Sequence, residues 1–448
     1  MPAEAFDALV PGGGPAGLAC ALTLRRRGGR SVAVVERTGY EASRIGETLA
    51  PGLRGVLEYL GAWDSFAADC HRPSFGTSAL WGTDNLATRD FIMTPFGAGW
   101  HLDRRRFDAS LAREAEATGV VLLRHARATV MRQETGGWRL CVNQYAGPRV
   151  LEAPILVDAT GTAALVARHA GAQRHVLDRM VALTATLDLA AAQTDEMLTL
   201  VETFAGGWWY SARLPGPHMV VALMTDRDFM EENGWSDATR WWQLLRQQRH
   251  SWQRLAAALR TKPLQLFPAF FTCASPAAGD DWVAVGDAAS SQDPLSASGI
   301  ARALNTGIHA ARAIDMRLRS GSAAALMAYA KWIASSFAAY WTTRMAYYDL
   351  ERRWPNAPFW QRRHPVLTLD PHCWIERAPH AGLADADGVR KERLVDRALL
   401  GRLCAAPCTA HQLVARYQAH AEIPAPDIEI ILTLQSLIEE RVLTARQA

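Results

Sequence analysis

The sequence predicts an α/β fold: an open, mostly parallel sheet assembled from separate stretches of chain, a second β-rich layer, and helices toward the C-terminus. Three observations carry this. Residues 5–27 read as strand, glycine turn and helix. Residues 281–300 read as a second buried strand, a Gly-Asp turn and a second helix. Residues 206–225 read as two apolar strands around Pro215-Gly216-Pro217, a hairpin pattern.

Composition frames these elements. A chain of 448 residues exceeds the size of a single hydrophobic core, so two or three packed domains are expected. Hydrophobic content of 49% and charged content of 21% are those of a globular protein. A net charge of +3 gives no electrostatic case for a nucleic acid or a membrane surface as partner. Seven cysteines without a CxxC pair or zinc spacing point to a reducing compartment and to no metal site. No apolar run reaches the ~18 residues of a bilayer span, so a cytoplasmic location is expected. Lysine is scarce: only Lys262, Lys331 and Lys391 occur.

In the first element, Ala5 to Val10 is a short buried strand, Gly12-Gly13-Gly14-Pro15-Ala16-Gly17 the turn, and Leu18 to Arg27 the helix. A dinucleotide needs glycines at such a turn, because a side chain would keep the backbone from the pyrophosphate and the last glycine lets helix and strand pack closely. Gly12, Gly14 and Gly17 fill those places, with Pro15 and Ala16 opening the helix. Pro11 departs from the pattern by removing a ladder donor at the strand's end. A second strand, Ser31-Val-Ala-Val-Val35, ends in Glu36-Arg37, where an acidic side chain accepts hydrogen bonds from ribose hydroxyls. The βαβ unit is complete, and dinucleotide binding follows.

Three further stretches decide which dinucleotide. They are Arg44-Ile-Gly46-Glu47-Thr48-Leu, then Trp100-His101-Leu-Asp-Arg104-Arg-Arg-Phe107-Asp108-Ala-Ser-Leu111, and then Asp281-Trp-Val-Ala-Val-Gly286-Asp287 running through Asp293-Pro294 to Gly299-Ile300. With Val157-Asp158-Ala-Thr-Gly161, they resemble the flavin-dependent aromatic hydroxylase and tryptophan-halogenase superfamily, over residues 5 to about 360. The resemblance implies FAD and a Rossmann-like domain of the p-hydroxybenzoate hydroxylase type. It assigns Asp287 to the ribityl chain, and Pro294, Gly299 and Ile300 to a helix N-terminus facing the flavin pyrimidine edge. Arg44 becomes the pyrophosphate cation, Gly46 and Thr48 lie where the chain crosses the flavin, and Arg104 is the arginine of the hydroxylase pattern. Ala297 replaces a glycine common in the family. Asp158 and Arg168 are left as structural, since an Asp at a strand end is more often a helix cap.

The resemblance also implies a discontinuous FAD domain (1–65, 98–172 and 270–325), a β-sheet substrate domain (66–97 and 173–269), C-terminal helices (326–376) and a small helical, winged-helix-like appendage (385–448). The sheet should roof the flavin. Along Gly206-Gly-Trp208-Trp209-Tyr210-Ser-Ala-Arg, side chains alternate, so Trp208 and Tyr210 share one face and Trp209 the other. All three are substrate candidates, although only one face can line a pocket. The appendage, with eight basic and nine acidic residues, is expected to dock a protein or stabilise the fold, not to bind DNA.

Glu47 and His101 are the candidate polar groups near flavin or substrate. In such enzymes reduced flavin and O2 give a C4a-hydroperoxide that passes oxygen to an electron-rich carbon, with NADH, NADPH or a partner reductase as electron donor. The stretches Arg44–Thr48, Gly99–Arg104, Gly207–Ala212 and Gly286–Ala289 look most like halogenase-related monooxygenases, including the QhpG type that hydroxylates a protein-bound tryptophan during tryptophylquinone biogenesis. An aromatic substrate follows, an indole, either small or protein-bound. The alternatives are a halogenase, a flavin reductase acting on a double bond, and a flavin-binding protein without turnover. Two marks of halogenases are broken. Pro73 to Trp81 has no lysine, and Tyr210 and Ala212 stand where the WxWxIP motif places tryptophans.

Overall fold

The computed structural model describes residues 3–41, 44–132, 137–145, 147–189, 197–255, 258–261, 263–364, 367–378, 395–421 and 424–446. Lys262, Lys391 and residues 385–394 of the appendage lie outside them. Strands Trp282–Ala284, Ile155–Asp158, Ala8–Pro11, Val32–Val35 and Val121–Leu123 lie parallel in that order. The first four are buried throughout, which is why they read as continuous apolar runs. Pro11 pairs with Val35, and the donor it lacks is replaced one residue on by the Gly12 amide, 2.8 Å from the Val35 carbonyl.

Helices Pro15–Gly28 and Gly299–Ser320 pack together beside this sheet. Gly307 allows the close approach, since a Cβ there would come within 2.3 Å of the Ala16 carbonyl oxygen. A second sheet orders Glu4–Ala5, Arg149–Ala153, Trp138–Asn143 and Arg127–Arg132. Asp158 behaves as a capping residue, accepting from the Thr160 and Ala167 amides, and Arg168 is exposed.

The substrate layer is one large sheet in which Ala258–Thr261, Met180–Leu189, His218–Asp226, Gly207–Arg213, Leu198–Phe204, Gly76–Leu80 and Ala87–Asp90 follow one another. Gly207–Arg213 and His218–Asp226 form the antiparallel hairpin across Pro215-Gly216-Pro217. One face of the sheet is covered by helices Arg227–Glu232, Ala238–Arg246 and Arg249–Leu255, with Trp209 and Trp241 at its core. The other face meets helix Ala324–Asp349 and the turn Pro358–Gln361 through Trp208, Tyr348, Phe359 and Trp360.

The appendage has its own core around helices Arg397–Leu403, Ala410–His420 and Asp427–Glu439. Strand Trp374–Arg377, placed with the C-terminal helices by the sequence reading, instead pairs with Cys408–Thr409 and Leu443–Arg446 and belongs to this unit.

Buried charges join the layers. Arg344, on the long helix, donates to Asp293 at 3.0 Å and also pairs with Asp178. Arg363 pairs with Asp178 at 2.8 Å and Asp226 at 2.7 Å. Burial alone would raise the Asp178 pKa, but Arg363 and Arg344 outweigh it and hold the carboxyl below its usual range. A depressed folded-state pKa stabilises the fold above the unfolded value and loses that contribution as pH falls through the folded one. Arg363→Met leaves buried carboxylates short of a partner, so stability should fall by about 3–5 kcal/mol in denaturant melts at neutral pH. The gap between variant and parent should narrow as the melts are repeated at acid pH, falling away as the pH drops through the depressed folded-state pKa of Asp178.

Candidate flavin site

The glycine turn shows why each of its glycines is there. Gly12 has φ +107°, and a Cβ on it would strike the Ala159 carbonyl oxygen at 2.0 Å. A Cβ on Gly17 would strike the Gly12 carbonyl oxygen at 2.1 Å. Both are demanded by the chain's own packing. Gly14 is not: the nearest atom to a Cβ there is Arg44 Nη1 at 3.8 Å. The space above Gly14 is therefore open, beside a cation and at the uncapped start of helix Pro15–Gly28. A pyrophosphate fits such a cradle, since free backbone N–H groups and a guanidinium favour an anion.

Glu36 is buried at the end of its strand and accepts from the Gly13 amide at 2.9 Å and from Thr38 Oγ1 at 2.6 Å. Arg37 beside it is exposed. Arg44 reaches both Glu36 and Asp108 at 3.2 Å. Arg104 opens helix Arg104–Ala117, pairs with the same Asp108 at 3.2 Å and donates to the Ile45 carbonyl. Arg104 thus braces the segment before Glu47, and Asp108 holds both arginines. The sequence reading missed Asp108 as a site residue, although its spacing of four from Arg104 was a readable helix pair.

Gly286 has φ +58° and packs on the first turn of the N-terminal helix, where a Cβ would meet Ala16 Cβ at 2.9 Å. This places Asp287 next to the glycine turn, paired with Arg302 at 2.7 Å. Arg302 had no sequence signal of its own. Asp293 caps the turn Pro294–Ser296 through the Leu295 amide at 2.9 Å and is held by Tyr348 Oη at 2.7 Å. Ala297 then adopts φ +49°, the left-handed region in which glycine costs least, so the missing family glycine leaves local strain. Helix Gly299–Ser320 starts next, with no side-chain cap, Gly299 exposed and Ile300 buried.

A seam joins the Glu47–Leu49 segment to the large sheet. Thr48 pairs with His101 across adjacent antiparallel strands. Thr48 Oγ1 lies 2.5 Å from Tyr210 Oη and 3.4 Å from Thr199 Oγ1, and His101 Nε2 lies 3.0 Å from Thr199 Oγ1. Burial raises the Glu47 pKa and so favours its protonated form. Burial, with Arg254 and Arg72 nearby, drives His101 down to about 3, so its imidazole is neutral at physiological pH. Tyr210 is pushed well up, first by burial and then by Glu47. Glu47, Thr48, His101 and Tyr210 are thus brought together. Thr199 is the addition, on a strand the sequence reading had not identified.

Trp208 shares the face of Tyr210, is fully buried, and donates from its indole to Tyr348 Oη at 3.2 Å. Trp209 is a correction. It points to the opposite face and packs edge-on against Trp241 with ring centroids 5.1 Å apart, so it is a core residue beneath the outer helices. Among the described residues no cluster of His, Cys, Asp and Glu could hold a metal ion. No helix among them is long and apolar enough to cross a membrane.

These residues fit FAD: the glycine turn and Arg44 would take the pyrophosphate, Asp287 the ribityl chain, and the helix start at Gly299 the ring. The openness over Gly14 gives a test. Gly14→Val should keep the fold, with an unchanged melting curve for the apoprotein, yet lose bound FAD by absorbance. Gly17→Val should lower stability itself, because its side chain meets backbone. Full FAD occupancy in Gly14→Val would overturn the assignment.

The chain matches the FAD binding domain family over residues 5–339. It is 32% identical to LodB of Marinomonas mediterranea, named as an FAD-dependent oxidoreductase, over 82% of this chain and 99% of that one. Among solved structures it is similar to the myxobacterial chondrochloren halogenase CndH, with TM-score 0.75 and 23% identity over 82% of this chain and 87% of that one. It is also similar to the peptidyl tryptophan dihydroxylase QhpG, with TM-score 0.61 and 25% identity over 84% of each chain. The chain belongs to the FAD binding domain family and is a flavin enzyme of the monooxygenase and halogenase type.

Proposed function

We propose that the protein hydroxylates an aromatic ring, an indole in a tryptophan residue of a protein or in a smaller compound, with O2 as cosubstrate and NADH, NADPH or a partner reductase as electron donor. The observation that carries this reading is the character of the seam. Sheet register puts Thr77 opposite Thr199 and Ala79 opposite Val201, and Val201 opposite Tyr210, so these residues share one face. The stretch where halogenases of the superfamily bear a lysine therefore offers a hydroxyl and a methyl group to the seam. Arg72, at its start, is no substitute, because a guanidinium stays protonated and is a poor nucleophile.

Bound FAD supplies the oxygen chemistry, and the chain's share is to orient the ring and keep water out. The side of the sheet that carries Tyr210 is aromatic, with Trp81, Trp208, Tyr348 and Trp360 meeting edge to face in the core beneath it. The likeness to QhpG, a peptidyl tryptophan dihydroxylase, supports a protein-bound tryptophan. The appendage around Asp427–Glu439 is the surface we assign to protein docking or to bracing the fold.

The experiment supplies the enzyme with FAD, an electron donor, oxygen and halide, and with indoles and tryptophan-containing peptides. Products are read by mass. A gain of one or two oxygens is the expected result. A gain of chlorine or bromine would make the protein a halogenase, and a gain of hydrogen across a double bond would make it a reductase.

A further inference from the structure

Asp287, the carboxylate assigned to the ribityl chain, is not held by its own turn alone. Arg302, near the start of helix Gly299–Ser320, donates from Nη2 to Asp287 Oδ1 at 2.7 Å. Its other terminal nitrogen, Nη1, donates to the Ser290 carbonyl and lies 3.2 Å from Ser290 Oγ. One planar fork therefore spans the turn from Asp287 to Ser290. Further along the same helix, Thr306 Oγ1 accepts from the Gly286 amide at 2.9 Å, so the helix grips the turn at both ends. Each of these bonds has a fixed sense, since a guanidinium and a backbone amide can only donate.

Exposure divides the two partners. The Arg302 side chain is 14% exposed and that of Asp287 45% exposed. The guanidinium is set into the protein, while the carboxylate stays accessible next to the glycine turn. Its Oδ1 is taken by Arg302, and its Oδ2 has no hydrogen bond among the described residues.

We infer that Arg302 is a positioning residue for the cofactor: by holding Oδ1 it fixes the orientation of Asp287 and leaves Oδ2 to accept from a hydroxyl of the ribityl chain. A carboxylate free to rotate would lose that freedom on binding, and ordering it beforehand removes the cost. Arg302 is not a placeholder that FAD pushes aside. Moving it would break its bonds to Ser290, a buried residue.

The inference rests on the assignment of Asp287 to the ribityl chain and is independent of the substrate. FAD affinity is measured by titrating the apoprotein and following the quenching of flavin fluorescence, with apoprotein melting curves recorded for every variant. Asp287→Ala should weaken binding by about tenfold or more, the factor of one hydrogen bond to a charged group. Arg302→Met should weaken it by a comparable factor in the parent and hardly at all in the Asp287→Ala background. Arg302→Lys, which keeps the charge without the fork, should recover part of the loss, and it carries the same comparison should Arg302→Met fail to fold. FAD analogues lacking single ribityl hydroxyls give a second readout. The parent should discriminate against one of them by about tenfold. Asp287→Ala should abolish that discrimination, and Arg302→Met should shrink it. An equal loss from Arg302→Met with and without Asp287 would show that Arg302 serves the turn alone and would overturn the inference. Unchanged or tighter FAD binding in Arg302→Met would overturn it too. Unchanged FAD binding in Asp287→Ala would remove the Asp287 assignment and the inference with it.

Discussion

Arg344 and Arg363 lie buried against Asp178, Asp226 and Asp293, and these five charges come from three layers that are otherwise separate in sequence. Asp293 belongs to the turn before the second long helix of the flavin domain, Asp178 and Asp226 to the ends of substrate-layer strands, and the arginines to the C-terminal helices. Taking each charge out of water costs several kcal/mol, and only close, multiple pairing offsets it. The layers therefore have one docked arrangement in which every charge is matched. Sliding them by a few ångströms would strand a buried ion. Tyr348, which donates to Asp293 and receives the Trp208 indole, extends the same constraint into the aromatic face of the roof.

That fixed docking is what allows the seam to consist of weak bonds. Thr48, Thr199, His101 and Tyr210 are joined by neutral hydrogen bonds, each contributing only about 1 kcal/mol net. Such bonds would not hold two domains in register. Held there by the ion pairs, they satisfy one another, because a buried hydroxyl without a partner is costly.

How much of this was legible in the sequence depended on how local the constraint was. Gly17 is required by the Gly12 carbonyl of the same βαβ unit, Gly12 answers to the distant Ala159 carbonyl and was legible only through the glycine pattern, and Glu36, Gly286 and Asp293 each sit at a strand end or turn whose pattern is short. The Arg104–Asp108 pair was equally local. Thr199 was out of reach, since its partners Thr48 and His101 lie about a hundred or more residues earlier and nothing near Leu198 marks it. The faces of the strand with Trp208 and Trp209 were undecidable for a different reason. Both faces are buried, one against outer helices and one against the C-terminal aromatics, so alternation named the faces without saying which one looked inward.

The seam's neutrality and its small residues are consequences of one another. The desolvation that lowers the His101 pKa and raises that of Glu47 also disfavours a charged group placed at Thr77 or Ala79. An ammonium group there would have to give up its proton or pair with Glu47 as a carboxylate, and either costs free energy in a buried seam. With a hydroxyl and a methyl group in those positions, the seam bears neither cost. The stretch from Pro73 to Trp81 accordingly brings no ammonium group to the seam.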